Sequence, residues 1–134
     1  RAIETGSTRW AQGGIAAVLS GDDSFASHAE DTMIAGAQLN HRQTVDFVVE
    51  HGPAAIQWLI DQGTEFTREG DDYHLTREGG HAHRRIIHAA DATGLAVHDT
   101  LASRCIAHSN ISVYESHVAI DLITSRKLGL PGTN

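Results

Sequence analysis

Residues 76–85 read Thr-Arg-Glu-Gly-Gly-His-Ala-His-Arg-Arg, gathering three arginines, two histidines and one glutamate around a Gly-Gly pair. Adjacent glycines let the backbone adopt positive φ and approach a ligand closely. Flanking side chains of both signs offer partners to anionic and cationic groups alike. The stretch therefore fits a small ligand carrying both signs of charge, although a solvated charge run has the same composition. A second glycine-bearing stretch, Gly-Ser-Thr-Arg-Trp-Ala-Gln-Gly-Gly at residues 6–14, favours the ligand reading. Its hydroxyls, its amide and its unobstructed backbone N–H groups suit phosphate oxygens or the heteroatoms of a flat cofactor ring.

Other chemistries fit less well. His81, His83 and His88 form His-x-His-x4-His, a spacing at which imidazoles can converge on zinc. No cysteine lies near them, and the Gly-Gly pair separates them from Glu78, so a metal site is not assigned. His81 or His83 is expected to order the loop or line the site, and His88 to pack or cap the next segment of chain. Arg84 and Arg85 could steer an anion, with an exposed or ion-paired role favoured for at least one. Cys105 sits on an apolar helical face and reads as a small hydrophobe. No Gly-x-Ser-x-Gly or Ser/His/Asp spacing supports a hydrolase.

The elements that must hold these residues follow from periodicity. The 134 residues are one domain's worth, with 40% hydrophobic and 20% charged residues, as in an ordinary globular protein. A formal net charge of -7 argues against a nucleic-acid binder, and no apolar run reaches membrane-span length. One cysteine cannot form an internal disulfide, which points to a reducing cytoplasm. The chain starts at Arg1 without Met and stops in the turn-like Leu-Gly-Leu-Pro-Gly-Thr-Asn, so an internal piece of a longer protein is expected.

After the loop at residues 6–14, three short helices are predicted within residues 22–63. The first is capped near Ser24 and buries Phe25, Ala29, Met33, Ile34 and Ala37. The second is capped by Asn40, holds Val45, Val48 and Val49, and stops at Gly52. Pro53 opens the third, which buries Ile56, Leu59 and Ile60 and ends at Gly63. Short strands at residues 64–67 and 73–76 should flank a polar turn at residues 68–72. Residues 91–124 should hold a helix from Asp91 or Thr93 to His108, burying Val97, Leu101 and Cys105. Two strands, at residues 111–115 and 118–124, should come after it. The fold class is α/β in the broad sense of mixed α and β layers. A complete doubly wound unit is not encoded, because no strand–Gly-x-Gly-x-x-Gly–helix opening occurs.

Two blocks carry a family resemblance. Gly-Ser-Thr-x-x-Ala-Gln-Gly-Gly-Ile-Ala-Ala-Val covers residues 6–18. His-Leu-Thr-Arg-Glu-Gly-Gly-His-x-His-Arg-Arg-Ile-Ile-His-Ala-Ala-Asp-Ala-Thr-Gly covers residues 74–94. Together they closely resemble the L-aspartate oxidases, members of the flavoprotein family that includes succinate dehydrogenase and fumarate reductase. Residues 30–37, 57–63 and 118–123 extend the likeness over nearly the whole chain.

The resemblance implies part of an FAD-binding, Rossmann-like domain lacking its N-terminal βαβ unit. Its flavin loop falls on Ser7, Thr8, Arg9, Trp10, Ala11, Gln12, Gly13 and Gly14. Where dehydrogenase and reductase relatives anchor FAD through a histidine, this chain has Ser7, which implies non-covalent FAD. Glu78 falls on the substrate-site glutamate that faces the amino group of aspartate. The activity implied is oxidation of L-aspartate to iminoaspartate, with oxygen or fumarate as electron acceptor. The imine would feed quinolinate and NAD synthesis, which makes quinolinate synthase a candidate partner. The pyrophosphate-gripping glycine turn would precede Arg1, and the principal catalytic arginine would lie beyond Asn134. Alone, this segment is expected to bind FAD weakly or not at all and to show no turnover. A non-catalytic binding module and a histidine-based metalloprotein are the alternatives.

Overall fold

The chain is organised around a two-residue strand flanked on both edges. In the computed structural model, which describes residues 2–130, β5 (Ile86–Ile87) lies between β1 (Ile15–Ala16) and β4 (Leu75–Thr76), antiparallel to both. Ile87 faces Ile15 on one side and Leu75 on the other. With its side chain fully buried, it joins Ala17, Ile56 and Phe66 in the main core. The sequence reading did not identify β5, since two isoleucines after a charge run show no alternation to detect.

Helix α1 (Phe25–Ala35) begins where expected, with the Ser24 hydroxyl accepting the Ser27 N–H at 3.1 Å. Its buried face is His28, Ala29 and Met33, whereas Phe25, Ile34 and Ala37 are exposed. The predicted second and third helices are one, α2 (Arg42–Gln62), with Pro53 in its interior. Proline gives up a helical hydrogen bond at that point. The buried stripe Val45, Val49, Ile56 nevertheless keeps helical register across the Gly52–Pro53 step. Gly52 lies on that stripe, and a Cβ there would stand 3.6 Å from that of Ala17. Packing across this contact outweighs the local stop signal. Val48 faces outward, so the stripe is narrower than expected. Asn40 does not cap α2; its amide lies over Gly36, where any Cβ would collide with it. Gly63 ends α2 as anticipated, in the left-handed region at φ 103°.

The hairpin is displaced from its predicted position. Its paired strands are β2 (Arg68–Glu69) and β3 (Asp72–Tyr73), so residues 64–67 are not a strand. Gly70, at φ 65°, supplies the turn they need, which brings the pairing closer to the turn than alternation suggested. Helix α3 (Thr93–Ala107) matches its predicted span, but Val97, Leu101 and Cys105 are only half-buried, and Thr93 and Gly94 are the buried residues.

No strand forms at residues 111–115 or 118–124. Alternation is present in the sequence, but no described strand pairs with these residues, and Ile120 is 96% exposed. A strand without a neighbour leaves its backbone groups to water and its apolar face uncovered. The turn read at residues 128–134 extends outside the described residues. No helix among those described is long and apolar enough to cross a membrane.

Candidate functional site

Residues 77–85 form the loop joining β4 to β5. The His81 N–H donates to the Glu78 carbonyl at 3.3 Å, and Gly80 has φ 87°. A positive φ at the third of four residues is the signature of a type II turn, so Gly80 is the member of the pair the backbone requires. Gly79 has open space around it. The turn presents Glu78 to solvent. A cavity of about 740 Å³ is lined by Asp22, His74, Thr76, Arg77, Ala82, His83 and Arg84, residues on either side of the turn in sequence, and Glu78 itself is not part of its lining. Arg77 and Arg84 are exposed, so cationic side chains flank the carboxylate of Glu78 in sequence and share one opening.

The loop is fastened by the residue least expected to be inside. The Arg85 side chain is 0% exposed. Its Nε and Nη2 donate to the two oxygens of Asp23 at 2.8 Å each, and Nη1 donates to Asp31 at 2.8 Å. Ser27 adds a contact at 3.2 Å. A bidentate fork with further hydrogen bonds is the geometry that makes a buried guanidinium tolerable. Asp31 also accepts the Ala82 N–H at 2.7 Å. Burial would raise the pKa of Asp31, but this backbone hydrogen bond and Arg85 outweigh it and hold the carboxyl below its usual range. Nearby, burial pushes the imidazole pKa of His28 down, with Arg85 and His81 adding repulsion.

The histidines do not converge. His88 pairs with His74, Nε2 to Nδ1 at 2.9 Å, while its own Nδ1 lies 2.9 Å from the Ala90 carbonyl. A carbonyl only accepts, so His88 Nδ1 donates to Ala90, and one hydrogen bond joins His88 Nε2 to His74 Nδ1. His74 also lines the cavity. His81 instead approaches His28, with ring centroids 6.0 Å apart. Among the described residues no group of three or more His, Cys, Asp or Glu side chains is arranged to hold a metal.

The loop at residues 7–14 is built from a 3-10 turn, Ser7–Trp10, that runs into β1. It is docked on the start of α3. The Gly94 N–H donates to the Ala11 carbonyl at 2.9 Å, and a Cβ on Gly94 would lie 2.0 Å from the Thr8 carbonyl oxygen. Arg9 reaches Asp99 at 3.2 Å. His98 donates from both ring nitrogens, to Asp99 at 2.9 Å and to the Ile3 carbonyl at 3.1 Å. Chiefly through the Asp99 hydrogen bond, its pKa is raised. The outward face remains open. Ser7, Thr8, Ala11, Gln12 and Gly13 are exposed, as is Trp10 at 78%. No hydrogen bond among the described residues occupies the hydroxyls of Ser7 and Thr8 or the amide of Gln12. Gly14 crosses β5 so closely that a Cβ would stand 2.4 Å from Ile86 Cγ2. Free donors on a rigidly backed loop fit a flavin, which needs polar partners for its ring edge and phosphates.

The register of β1 on β5 brings both loops onto one strand, but at opposite ends. Gly14 lies beside His88, and Ala17, whose N–H donates to the Arg85 carbonyl at 2.9 Å, lies beside the Glu78 loop. Gly14 and Ala17 are three residue steps apart along β1, about 10 Å. An extended ligand is therefore required to touch both. The sequence reading missed the anchors Asp23, Asp31 and Gly94; of Arg84 and Arg85, for which an exposed or ion-paired role was favoured for at least one, Arg85 is the ion-paired one, although its burial was not foreseen. A partial signal existed for Arg85, since period-2 geometry puts it on the face of Ile87 rather than that of Arg84.

Comparison with known proteins shows the family to which the chain belongs. The chain is 56% identical over 98% of its length to L-aspartate oxidase 1 of Ralstonia nicotianae, covering 25% of that protein. Against L-aspartate oxidase of Pseudomonas aeruginosa it is 56% identical over 96% of the chain and 26% of the relative. It thus spans about a quarter of the length of these curated relatives. A variant of quinol fumarate reductase from Escherichia coli superposes with a TM-score of 0.75 at 34% identity, over 78% of this chain and 18% of that one. A protein-family model described as an FAD binding domain matches residues 3–132. The loop with free donors, the turn bearing Glu78 and the strand between them thus lie within one recognised unit, and the chain belongs to the FAD binding domain family.

Proposed function

We propose that this chain is the part of an FAD-dependent L-aspartate oxidase that runs from the flavin-contacting loop through the substrate turn. The observation that carries the reading is Glu78. Its carboxylate stands on a type II turn between Arg77 and Arg84 in sequence, two arginines that line one cavity, in a chain 56% identical to two L-aspartate oxidases. Aspartate carries two carboxylates and one ammonium, and this set of charges complements it.

Ser7, Thr8, Arg9, Trp10, Ala11, Gln12, Gly13 and Gly14 would hold FAD without a covalent bond, through hydroxyl, amide and backbone donors. When bound, FAD supplies the acceptor for the hydride leaving Cα. Glu78 pairs with the α-ammonium, orients the Cα–H bond, and is the group to receive a proton as the amine becomes an imine. Arg77 and Arg84 draw the dicarboxylate to the opening. Oxygen or fumarate then takes the electrons, and iminoaspartate passes to quinolinate synthase in the cytoplasm, on the route to NAD.

The test uses the full-length protein. Glu78→Gln removes the negative charge at nearly constant shape. A hydrogen bond between charged groups is worth about 1.5–3 kcal/mol, so kcat/KM for aspartate should fall about 10- to 150-fold. Fumarate has no ammonium, so its reduction should change by less than about threefold. Equal losses in both reactions would remove Glu78 from this role. Failure of aspartate to reduce the wild-type flavin would remove the oxidase reading itself.

A further inference from the structure

We propose that Asp31 is a positioning residue for substrate recognition: a single carboxylate oxygen on α1 holds the turn that carries Glu78, and so fixes where the ammonium-binding charge stands. The inference rests on the reading of Glu78 given above. Oδ2 of Asp31 accepts both the Ala82 N–H at 2.7 Å and Arg85 Nη1 at 2.8 Å. Ala82 comes directly after the last residue of the turn. Among the described residues, its hydrogen bond to Asp31 is the only one that ties residues 77–84 to an element other than the adjoining strands. The remaining bonds of residues 77–84, from the His81 N–H to the Glu78 carbonyl and from Arg84 to the Leu75 carbonyl, lie within the hairpin itself. Without Asp31 the turn keeps its shape but is tied to α1 and its approach only through Arg85, beyond the turn, at Asp23 and Ser27.

Asp31 is not needed to neutralise Arg85. Asp23, fully buried, already meets the guanidinium with both oxygens and forms a neutral pair. The second carboxylate is surplus as charge compensation, and at 17% exposure it stands at the edge of the cluster, toward the loop. The row that faces the loop is regular. Ser27 and Asp31, one turn apart on α1, both meet Arg85, and Ala35, one turn further, lies 3.9 Å from where a Cβ on Gly80 would stand. Helix α1 therefore offers one face on which the turn is seated, and Asp31 is the hydrogen-bonding member of that face.

The experiment compares Asp31→Asn, Asp31→Glu, Glu78→Gln and the Asp31→Asn/Glu78→Gln double variant in the full-length protein. FAD content is measured alongside steady-state aspartate oxidation and fumarate reduction. Asp31→Asn leaves the Arg85–Asp23 pair intact, so the protein should retain its flavin. KM for aspartate should rise about tenfold and fumarate reduction should change less than about twofold. The double variant should be no worse than Glu78→Gln, because Asp31 acts through Glu78. Asp31→Glu, which keeps the charge, should recover most of the loss. A selective loss in Glu78→Gln with equal losses of both activities in Asp31→Asn overturns the proposal, as does a double variant whose losses multiply. Flavin loss in both Asp31 variants also overturns it, making Asp31 a structural residue. No selective loss in Glu78→Gln overturns the underlying reading of Glu78, and the proposal with it.

Discussion

Replacing Gly94 by alanine tests whether the loop at residues 7–14 must be seated on α3 to hold FAD. The added Cβ would lie 2.0 Å from the Thr8 carbonyl oxygen, 2.7 Å from Ala11 Cβ and 2.8 Å from the Ala11 carbonyl oxygen. Two of these are backbone atoms, which cannot rotate away. Reaching ordinary contact at 3.4 Å means withdrawing the Thr8 carbonyl by about 1.4 Å. That movement breaks the 2.9 Å hydrogen bond from Gly94 to Ala11, at about 1 kcal/mol. Strain that remains from overpacking adds about 1–3 kcal/mol. Alanine returns up to about 1 kcal/mol in helix propensity, but that gain is realised whether or not the loop is docked. The docked loop is therefore disfavoured by about 2–4 kcal/mol, and Kd for FAD should rise about 30- to 1000-fold. The loop is already docked in this structure, so part of this penalty appears as a loss of apo-protein stability and the rise in Kd is smaller by that part. The assay is a fluorescence titration of full-length apo-protein with FAD, with thermal unfolding of the apo forms in parallel. Binding within threefold of wild type with unchanged apo-protein stability would refute the seating argument.

Two further outcomes are expected from the charged groups. Arg85→Leu strands the buried carboxylate of Asp23 and should cost about 3–5 kcal/mol in denaturant unfolding of the full-length protein; a loss below about 1 kcal/mol would mean that the cluster is not dry. His98 has a raised pKa, so its contribution is complete below the ordinary value of 6.5 and is lost as pH rises through the raised one. Because His98 and Arg9 share Asp99, FAD affinity should weaken over that rise, and His98→Gln should flatten the profile. An unchanged profile in the variant would sever His98 from the loop.

Elements controlled by local chemistry were legible in the sequence. The Asp-Asp-Ser start of α1, the glycine stop of α2 at Gly63 and the span of α3 each arise from capping and periodicity over a few residues. The features that escaped detection depend on distant partners. Gly52 and Pro53 spell a helix break, but the stripe running from Val45 to Ile56 is held by distant partners, Val45 and Val49 on Ala29 and Met33, and Ile56 on Ala17 and Ile87, which no local rule sees. Alternation at Val118, Ile120 and Leu122 is genuine, yet pairing cannot be read from one strand. Of the candidate site, both loops were recognisable by residue type and Glu78 was singled out. An ion pair was legible as a role for Arg84 or Arg85, but the partners and the burial of Arg85 were not, because Asp23 and Asp31 stand 62 and 54 residues away. Gly94 gave no signal, since its importance lies in the loop that crosses it.

Arg85 also dictates an order of assembly. It immediately precedes β5, so Ile87 cannot enter the core without drawing a cation in with it. Until α1 has brought Asp23 and Asp31 into place, that cation would be buried without a counter-ion, which is far costlier than leaving both residues in water. A partly folded chain in which β4 and β5 collapse on α2 alone is thereby penalised. The sheet is completed only on a template that already includes α1, and the loop closure this demands is long and non-local. A residue that looks like an ornament of the binding loop thus acts as a checkpoint on how the domain folds.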